Sequence, residues 1–125
     1  MMSTSCYLVT GATGFIGDKL VRSLASQGHE VRALSRRPLP GSSFPANVIV
    51  VHGTLEDPAS LVAAMQGCDG IFHLAGYAKN WARNKRVFHD VNVDGLSTVL
   101  DAAREVDVKR VVWTSTVMTF GPTPP

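Results

Sequence analysis

Residues 10–17 read Thr10-Gly11-Ala12-Thr13-Gly14-Phe15-Ile16-Gly17 and stand between two segments of different hydrophobic periodicity. The apolar run 6–10 leads into them and predicts a buried β-strand. Behind them, apolar residues recur at helical spacing until Gly28, which predicts a helix. A glycine-rich turn between a strand and a helix is the place where the pyrophosphate of a dinucleotide meets free N–H groups. Residues 10–17 are therefore a candidate nucleotide-binding turn.

The three glycines of this turn have distinct expected roles. Gly11 would allow the tight turn, Gly14 would let the backbone approach the phosphates, and Gly17 would let the helix pack closely on the strand. The alternative is that the glycines only shape a turn. The candidate pyrophosphate-binding residues are Gly11, Ala12, Thr13, Gly14, Phe15, Ile16 and Gly17.

The remainder of the chain alternates short β-branched runs with longer segments of helical spacing. We expect further strands at 31–35, 48–51, 70–74 and 109–115, and helices at 58–67 and 85–106. A loop rich in proline and glycine, 36–47, replaces a helix between the second and third strands. This alternation predicts an α/β fold, in which a parallel sheet is covered by helices on both faces.

The composition bounds the class of protein. A chain of 125 residues with 45% hydrophobic residues suits one domain, which we expect to occupy residues 1–125. Twelve basic and ten acidic residues leave a net charge of +2, which excludes a strongly basic nucleic-acid-binding protein. The segment 79–86 carries four basic residues around Trp81. We interpret it as a solvated helix entry that could touch an anionic substrate, and expect no nucleic-acid partner.

The sequence suggests no metal site, secretory signal or membrane span. Cys6 and Cys68 form neither a Cys-x-x-Cys pair nor a disulfide framework, so we expect two reduced core thiols. The N-terminus lacks the basic and apolar parts of a signal peptide, and no apolar run approaches about 18 residues. We therefore expect a cytoplasmic protein without a membrane partner.

Four motifs, in chain order, resemble those of the extended short-chain dehydrogenases/reductases, also called the NAD-dependent epimerase/dehydratase superfamily. They are the Gly-x-x-Gly-x-x-Gly turn at 11–17, His73-Leu74-Ala75-Gly76, Asn92-Val93-Asp94-Gly95 and Thr114-Ser115-Thr116. Within the superfamily, 73–88 and 114–116 are most similar to the dihydroflavonol-reductase branch, which includes hopanoid-associated sugar epimerases and 3β-hydroxysteroid dehydrogenases. The resemblance implies a Rossmann-type sheet with strand order 3-2-1-4-5, as part of a truncated doubly wound domain.

Ser35-Arg36-Arg37 ends the second strand, where NAD-preferring proteins of this fold usually place an acidic residue on the ribose 2′-hydroxyl. Arg36 and Arg37 can instead pair with a 2′-phosphate through charge-assisted hydrogen bonds. Similar family members with arginine at the Arg36 position use NADP, so we expect NADP, with NAD as the other option. The alternative is that both arginines are solvated loop residues without a ligand.

The resemblance also implies cofactor contacts at the ends of the other strands. Thr54 stands where the superfamily often has the Asp of Gly-Asp-Leu, so a contact with adenine there would be weak. Asn92 would hold a backbone group or a water molecule near the active site, unless its side chain simply faces solvent. The candidate cofactor-contacting residues of these strand ends and the following helix are Thr54, Leu55, Leu74, Ala75, Gly76, Asn92, Thr114 and Ser115.

The family uses a Tyr general acid/base, a Lys that lowers the pKa of the Tyr, and a Ser/Thr that orients the reacting oxygen. Thr116 resembles that Ser/Thr and is the candidate catalytic residue; the alternative is a plain strand-end hydroxyl. Neither Tyr7 nor Tyr77 is followed by Lys four residues later, so we expect this chain alone to be inactive and to be a fragment. His73 is interpreted as a satisfied core group rather than a catalyst.

These residues lead to one preferred function and two alternatives. The preferred function is NAD(P)-dependent reduction or epimerisation, with hydride transfer to or from a dihydroflavonol-like, steroid-like or nucleotide-sugar substrate. A non-catalytic NmrA-type regulator that senses NAD(P) would also lack Tyr-x-x-x-Lys. An interaction module would use the open edge of the fifth strand and the long helix. The same surfaces lead us to expect a homodimer.

Overall fold

Within the described part of the computed structural model, five parallel strands form one sheet in the order β3-β2-β1-β4-β5. The structure describes residues 3–79, 81–116, 121, 122 and 124. The strands are β1 Cys6–Thr10, β2 Glu30–Ser35, β3 Val48–His52, β4 Gly70–His73 and β5 Arg110–Trp113. The predicted α/β class and the predicted strand order are both confirmed.

Helices connect most of these strands. They are α1 Phe15–Ser26, α2 Pro58–Met65, α3 Arg86–His89 and α4 Gly95–Glu105, and the π-helical segment Asp90–Asp94 joins α3 to α4. The long helix predicted over 85–106 is present as a continuous helical run from Arg86 to Glu105, and five residues in its middle are π-helical rather than α-helical. The loop 36–47 contains no helix, as predicted. Among the described residues, no helix is both long and apolar enough to cross a membrane.

Two apolar cores lie on opposite faces of the sheet. The core beneath α1 includes Val9, Val21 and Val31, all fully buried. The core beneath α2 and α4 includes Leu8 and Leu61, also fully buried. Neighbouring residues of β1 thus serve different cores, because successive side chains of a strand point to opposite faces. A central strand covered on both faces is largely apolar, which explains the unbroken run at 6–9.

The strand ends differ slightly from the predicted bounds. The last strand was predicted over 109–115 but ends at Trp113, so Thr114 and Ser115 lie in the loop beyond the sheet. The reason is that the ladder to β4 closes there: β4 itself ends at His73, whose carbonyl oxygen accepts a hydrogen bond of 3.2 Å from the Thr114 N–H. All five strands are parallel, so their carboxyl ends meet at one edge of the sheet. In open α/β sheets that edge is where ligands bind.

Candidate dinucleotide-binding site

Gly11 begins the turn after β1 in a conformation that only glycine adopts without strain. Its φ is +67°, and a Cβ built there would lie 2.7 Å from the amide nitrogen of Ala75 and 2.8 Å from the carbonyl carbon of Leu74. Both of those atoms belong to the backbone of the segment after β4, so neither could move aside cheaply. Gly11 therefore lets the turn lie directly against the end of β4.

Gly17, in the first turn of α1, is required for a second close approach. A Cβ at this position would overlap the carbonyl oxygen of Gly11. Gly14 differs from both, because it has φ −75° and ψ 174°, which any residue can adopt, and its nearest obstacle is the Gly11 carbonyl oxygen at 3.3 Å. Gly11 and Gly17 thus have roles in the packing of the turn, whereas an approach of phosphate to Gly14 stays a prediction.

The residues of the turn differ in exposure, and the side chains of Phe15 and Ile16 are 81% and 59% exposed. Ala12 and Gly17 are buried, while Thr13 and Gly14 are exposed. The first helical hydrogen bond of α1 runs from the Asp18 N–H to the Gly14 carbonyl oxygen at 2.9 Å. The N–H groups that precede it in the first helical turn have no acceptor within the helix, and they give this end a partial positive charge. An anionic pyrophosphate is the natural ligand for such an end.

Thr10 ties the turn to β4 through a buried hydrogen-bond network. Its hydroxyl oxygen lies 2.7 Å from Nδ1 of His73 and accepts hydrogen bonds of 3.1 Å from the N–H groups of Leu74 and Ala75. Since the hydroxyl has one proton and both lone pairs are used, it donates to Nδ1, and the proton of the neutral imidazole is on Nε2. His73 is buried with its Nδ1 hydrogen-bonded, and burial lowers its pKa.

Arg36 and Arg37 lie exposed just beyond the carboxyl end of β2. The Ser35 hydroxyl, which is buried, donates to the Arg37 carbonyl oxygen at 2.6 Å and accepts from the Arg37 N–H at 3.2 Å. This short turn fixes the backbone that carries both arginines. Among the ion pairs of the described residues none involves either guanidinium, so both cations face solvent at the ligand-binding edge.

Thr54 and Leu55 follow β3, and both contribute to local packing. The Thr54 N–H donates to the Ser60 hydroxyl oxygen at 3.1 Å, which links the end of β3 to α2. Leu55 lies against Gly95, where a Cβ would come within 2.8 Å of the leucine Cδ1 atom. Leu55 therefore helps to cover the core under α4, and a contact with adenine stays a prediction for both residues.

Asn92 sits in the π-helical segment and clamps the backbone of the loop after β4. Its Oδ1 accepts a hydrogen bond of 2.8 Å from the Tyr77 N–H, and its Nδ2 donates one of 3.1 Å to the Tyr77 carbonyl oxygen. The expectation that this amide holds a backbone group is met by this pair of bonds. Asn92 thereby positions the loop that begins with Ala75 and Gly76, and a direct contact with a cofactor stays a prediction.

Sequence reasoning missed two features here, the π-helical segment and the Thr10–His73 bond. Asn92 and Gly95 were both noted, but a hydrophobic stripe cannot distinguish a π-helical turn from an α-helical one. The Thr10–His73 bond depends on the register that pairs these two residues across β1 and β4. Neither feature therefore follows from hydrophobic periodicity.

Thr114, Ser115 and Thr116 follow β5 and are all exposed. The Thr114 N–H bond to His73 places this cluster beside the end of β4, on the same edge as the glycine turn. The candidate site residues that follow β1, β2, β4 and β5 therefore all lie at the same edge of the sheet. The roles of Thr116 as a catalytic residue and of Thr114 and Ser115 as cofactor contacts stay predictions.

Comparison with known proteins places this arrangement in context. The sequence model of the NAD dependent epimerase/dehydratase family matches residues 7–125 of this chain. A Synechocystis protein named "Putative dihydroflavonol 4-reductase" is 40% identical over 119 residues, which cover 93% of this chain and 34% of that protein. A 3-beta-hydroxysteroid dehydrogenase of Mycolicibacterium neoaurum is 35% identical over 114 residues, which cover 86% of this chain and 31% of that enzyme.

A solved structure shows the same fold with ligands bound. MoeE5, in complex with UDP-glucose and NAD, superposes with a TM-score of 0.79 at 32% sequence identity, and the match covers 94% of this chain and 38% of that one. The chain thus spans about a third of the length of its relatives.

Proposed function

The chain belongs to the NAD dependent epimerase/dehydratase family, and we propose that it forms the dinucleotide-binding part of an oxidoreductase or epimerase. The proposed reaction transfers a hydride between nicotinamide and a hydroxyl or carbonyl group of a small molecule. The observation that carries this proposal is the packing of the Gly11 turn against Leu74 and Ala75. This packing leaves the amino end of α1 facing the sheet edge where dinucleotides bind in this fold class.

We propose NADP as the preferred cofactor. Arg36 and Arg37 are solvent-facing cations held beside the end of β2 by the Ser35 turn, and no acidic residue stands in Ser35-Arg36-Arg37. A 2′-phosphate would find two charge-assisted partners there, whereas the ribose hydroxyl of NAD would lack its usual carboxylate acceptor. MoeE5 holds NAD, so the arginine pair and not the fold itself carries the preference for NADP.

The arginine pair can be tested separately from the fold. Arg36→Ala removes one charge-assisted bond, worth about 1.5–3 kcal/mol, so the Kd for NADPH should rise roughly 10- to 100-fold while the Kd for NADH changes little. Arg104→Ala is the matched control, because this exposed arginine lies in the last turn of α4. Equal losses for NADPH and NADH in the Arg36 variant would remove the 2′-phosphate assignment.

Each candidate residue has a defined task in this proposal. Bound nicotinamide would supply or accept the hydride. The N–H groups in the first turn of α1, at residues 15–17, would bind the pyrophosphate, and the loop held by Asn92 would position the inner ribose. Thr116 would orient the reacting oxygen of the substrate. We also propose that these 125 residues bind the cofactor without turnover, because no Tyr-x-x-x-Lys occurs in them.

The substrate class is a further proposal, drawn from named relatives. They include reductases, a steroid dehydrogenase and a protein that binds UDP-glucose together with NAD. All of these names fit substrates with a secondary hydroxyl or a carbonyl group. A screen of dihydroflavonol, 3β-hydroxysteroid and nucleotide-sugar substrates on the whole protein, read as NADPH absorbance change, would discriminate among them. Turnover of none of them would contradict this range of substrates.

A second candidate function is that of a non-catalytic regulator of the same fold. A regulator that senses the dinucleotide would bind it and transfer no hydride. The whole protein distinguishes the two functions: an enzyme would exchange hydride between labelled NADPH and a carbonyl substrate, and a sensor would bind NADPH without exchange.

We propose a homodimer for the whole protein, supported by apolar side chains on the outer surface of its long helical segment. Val93 is 49% exposed and Leu100 is 41% exposed. Leu100→Asp should shift the sedimentation coefficient from that of a dimer to that of a monomer. An unchanged coefficient would show that this surface is not the interface.

A further inference from the structure

Cys6 and Cys68 lie in contact at the end of the sheet opposite the candidate cofactor site. Their Sγ atoms are 3.5 Å apart, both thiols are free, and each residue is 9% exposed. Cys6 begins β1, whereas the glycine turn follows the other end of that strand, about 13 Å away at the rise of a β-strand. Neither thiol can therefore take part in hydride transfer at that turn.

The backbone around the two thiols is held by reciprocal hydrogen bonds. The Cys6 N–H donates to Oδ2 of Asp69 at 2.7 Å, and the Asp69 N–H donates to the Cys6 carbonyl oxygen at 2.8 Å. Cys68 directly precedes Asp69, and its own N–H donates to the Met65 carbonyl oxygen at 2.9 Å. The two cysteines thus face each other from fixed backbone positions.

Cys6 and Cys68 are less suited to binding a metal ion than to forming a covalent bond with each other. A closed metal site needs three or four ligands. In the described part of the chain, the group of three or more such ligands within reach of one another is His89, Asp90 and Asp94, and it includes neither cysteine. Oε1 of Glu30 lies 3.5 Å from Sγ of Cys6, but among the described residues it forms no three-ligand group with the two thiols, which are therefore suited instead to a disulfide.

We propose that Cys6 and Cys68 are a modification site that forms an intramolecular disulfide on reaction with a low-molecular-weight disulfide. One cysteine thiolate attacks a sulfur of the small disulfide, forms a mixed disulfide and releases one small thiolate. The second cysteine then attacks the protein sulfur of the mixed disulfide and expels the other small thiolate. Two protein thiols are oxidised, one small disulfide is reduced to two thiols, and the two cysteine protons end on those thiols.

The environment makes this reaction slow at neutral pH. Burial raises the pKa of Cys6 to about 12 and also raises the pKa of Cys68. The guanidinium of Arg32 acts against both shifts, whereas the carboxylate of Glu30 adds to both and that of Asp69 adds to the shift of Cys68. The thiolate is the attacking species, so the rate of oxidation should increase with pH throughout the neutral and mildly alkaline range.

The disulfide would connect the first strand to the segment that leads into β4. Residues 6 and 68 are 62 positions apart, so the bond closes a long loop. Cross-linking a long loop restricts the unfolded chain, and the oxidised protein should melt at a higher temperature than the reduced protein. The carboxyl ends of the same two strands carry the glycine turn and the Leu74-Ala75 segment.

The test incubates the intact chain with oxidised glutathione at several pH values and follows its mass. The expected product has lost two hydrogen atoms, resists alkylation by iodoacetamide after denaturation, and gives a Cys6–Cys68 cross-linked peptide that reductant cleaves. Cys6→Ser and Cys68→Ser should each stop at a single glutathione adduct. The proposal is overturned if the unmodified chain keeps two alkylatable thiols at every pH, or if it accumulates a stable glutathione adduct as the single-cysteine variants do.

Discussion

The hydroxyl oxygen of Thr10 lies 2.7 Å from Nδ1 of His73 and joins the last residues of two adjacent strands in the buried interior. The same oxygen accepts the N–H groups of Leu74 and Ala75, which lie against Gly11. One side chain therefore determines how closely the glycine turn approaches β4. This network thus lies beneath the candidate site and supports the turn that would bind the pyrophosphate.

Thr10→Val should destabilise the fold and loosen the end of β4. Valine keeps the shape but removes the acceptor of the Ala75 N–H and the donor to Nδ1 of His73, at about 1–3 kcal/mol for each buried unsatisfied group, whereas the Leu74 N–H keeps the carbonyl oxygen of residue 10 at 3.3 Å. We expect a lower urea midpoint and faster hydrogen exchange, with the larger increase at the Ala75 amide. Thr10→Ser, which keeps the hydroxyl, is the control and should exchange at close to the original rate. Equal exchange in the two variants would contradict the role given to the hydroxyl.

Stability should fall below neutral pH partly because His73 must remain neutral. Burial lowers its pKa in the folded protein, while the unfolded value is about 6.5. The resulting stabilisation is complete above about pH 6.5 and is lost as the pH falls from there towards the folded pKa. His73→Gln should flatten this part of the plot of unfolding free energy, measured with urea, against pH. His52→Gln, at an exposed position, should leave the plot unchanged. A curve unaffected by His73→Gln would exclude this contribution.

Gly17→Ala should be among the most damaging single-methyl additions in the chain. Its Cβ would overlap the Gly11 carbonyl oxygen, so α1 would have to shift away from the turn. Overpacking of this kind costs about 1–3 kcal/mol and should also weaken dinucleotide binding. The control is Gly41→Ala, where nothing lies within 4 Å of the new methyl group. Thermal melts that are the same for both variants would show that the close approach is not required.

Asn92→Leu should release the loop after β4 while leaving the sheet intact. Leucine cannot replace either hydrogen bond to the Tyr77 backbone. We expect faster hydrogen exchange at the Tyr77 amide and weaker NADPH binding, with little change in the exchange of β1 amides. Thr98→Val is a control on the same helical run, because it removes only the bond from the Thr98 hydroxyl to the Asp94 carbonyl oxygen. Unchanged Tyr77 exchange in the Asn92 variant would contradict the clamp.

The sequence predicts the framework of this site better than its supporting bonds. The unbroken apolar run at 6–9 and the glycines that follow it indicate a central strand, a tight turn and a helix, and all three are present. The contact between Cys6 and Cys68, by contrast, joins residues 62 positions apart in the chain. The bond from Thr10 to His73 likewise joins distant residues, which are 63 positions apart. Such pairs depend on strand register and side-chain rotamers, which hydrophobic periodicity does not encode.

The central claim is that a nicotinamide dinucleotide binds at the glycine turn, and its most direct test is an NMR titration of the ¹⁵N-labelled chain with NADPH. We expect the perturbed amides to cluster at 11–17, at 36–37 and at 74–76, with smaller changes at 36–37 when NADH is used. Absence of binding, or perturbations confined to the outer surface of α4, would contradict it.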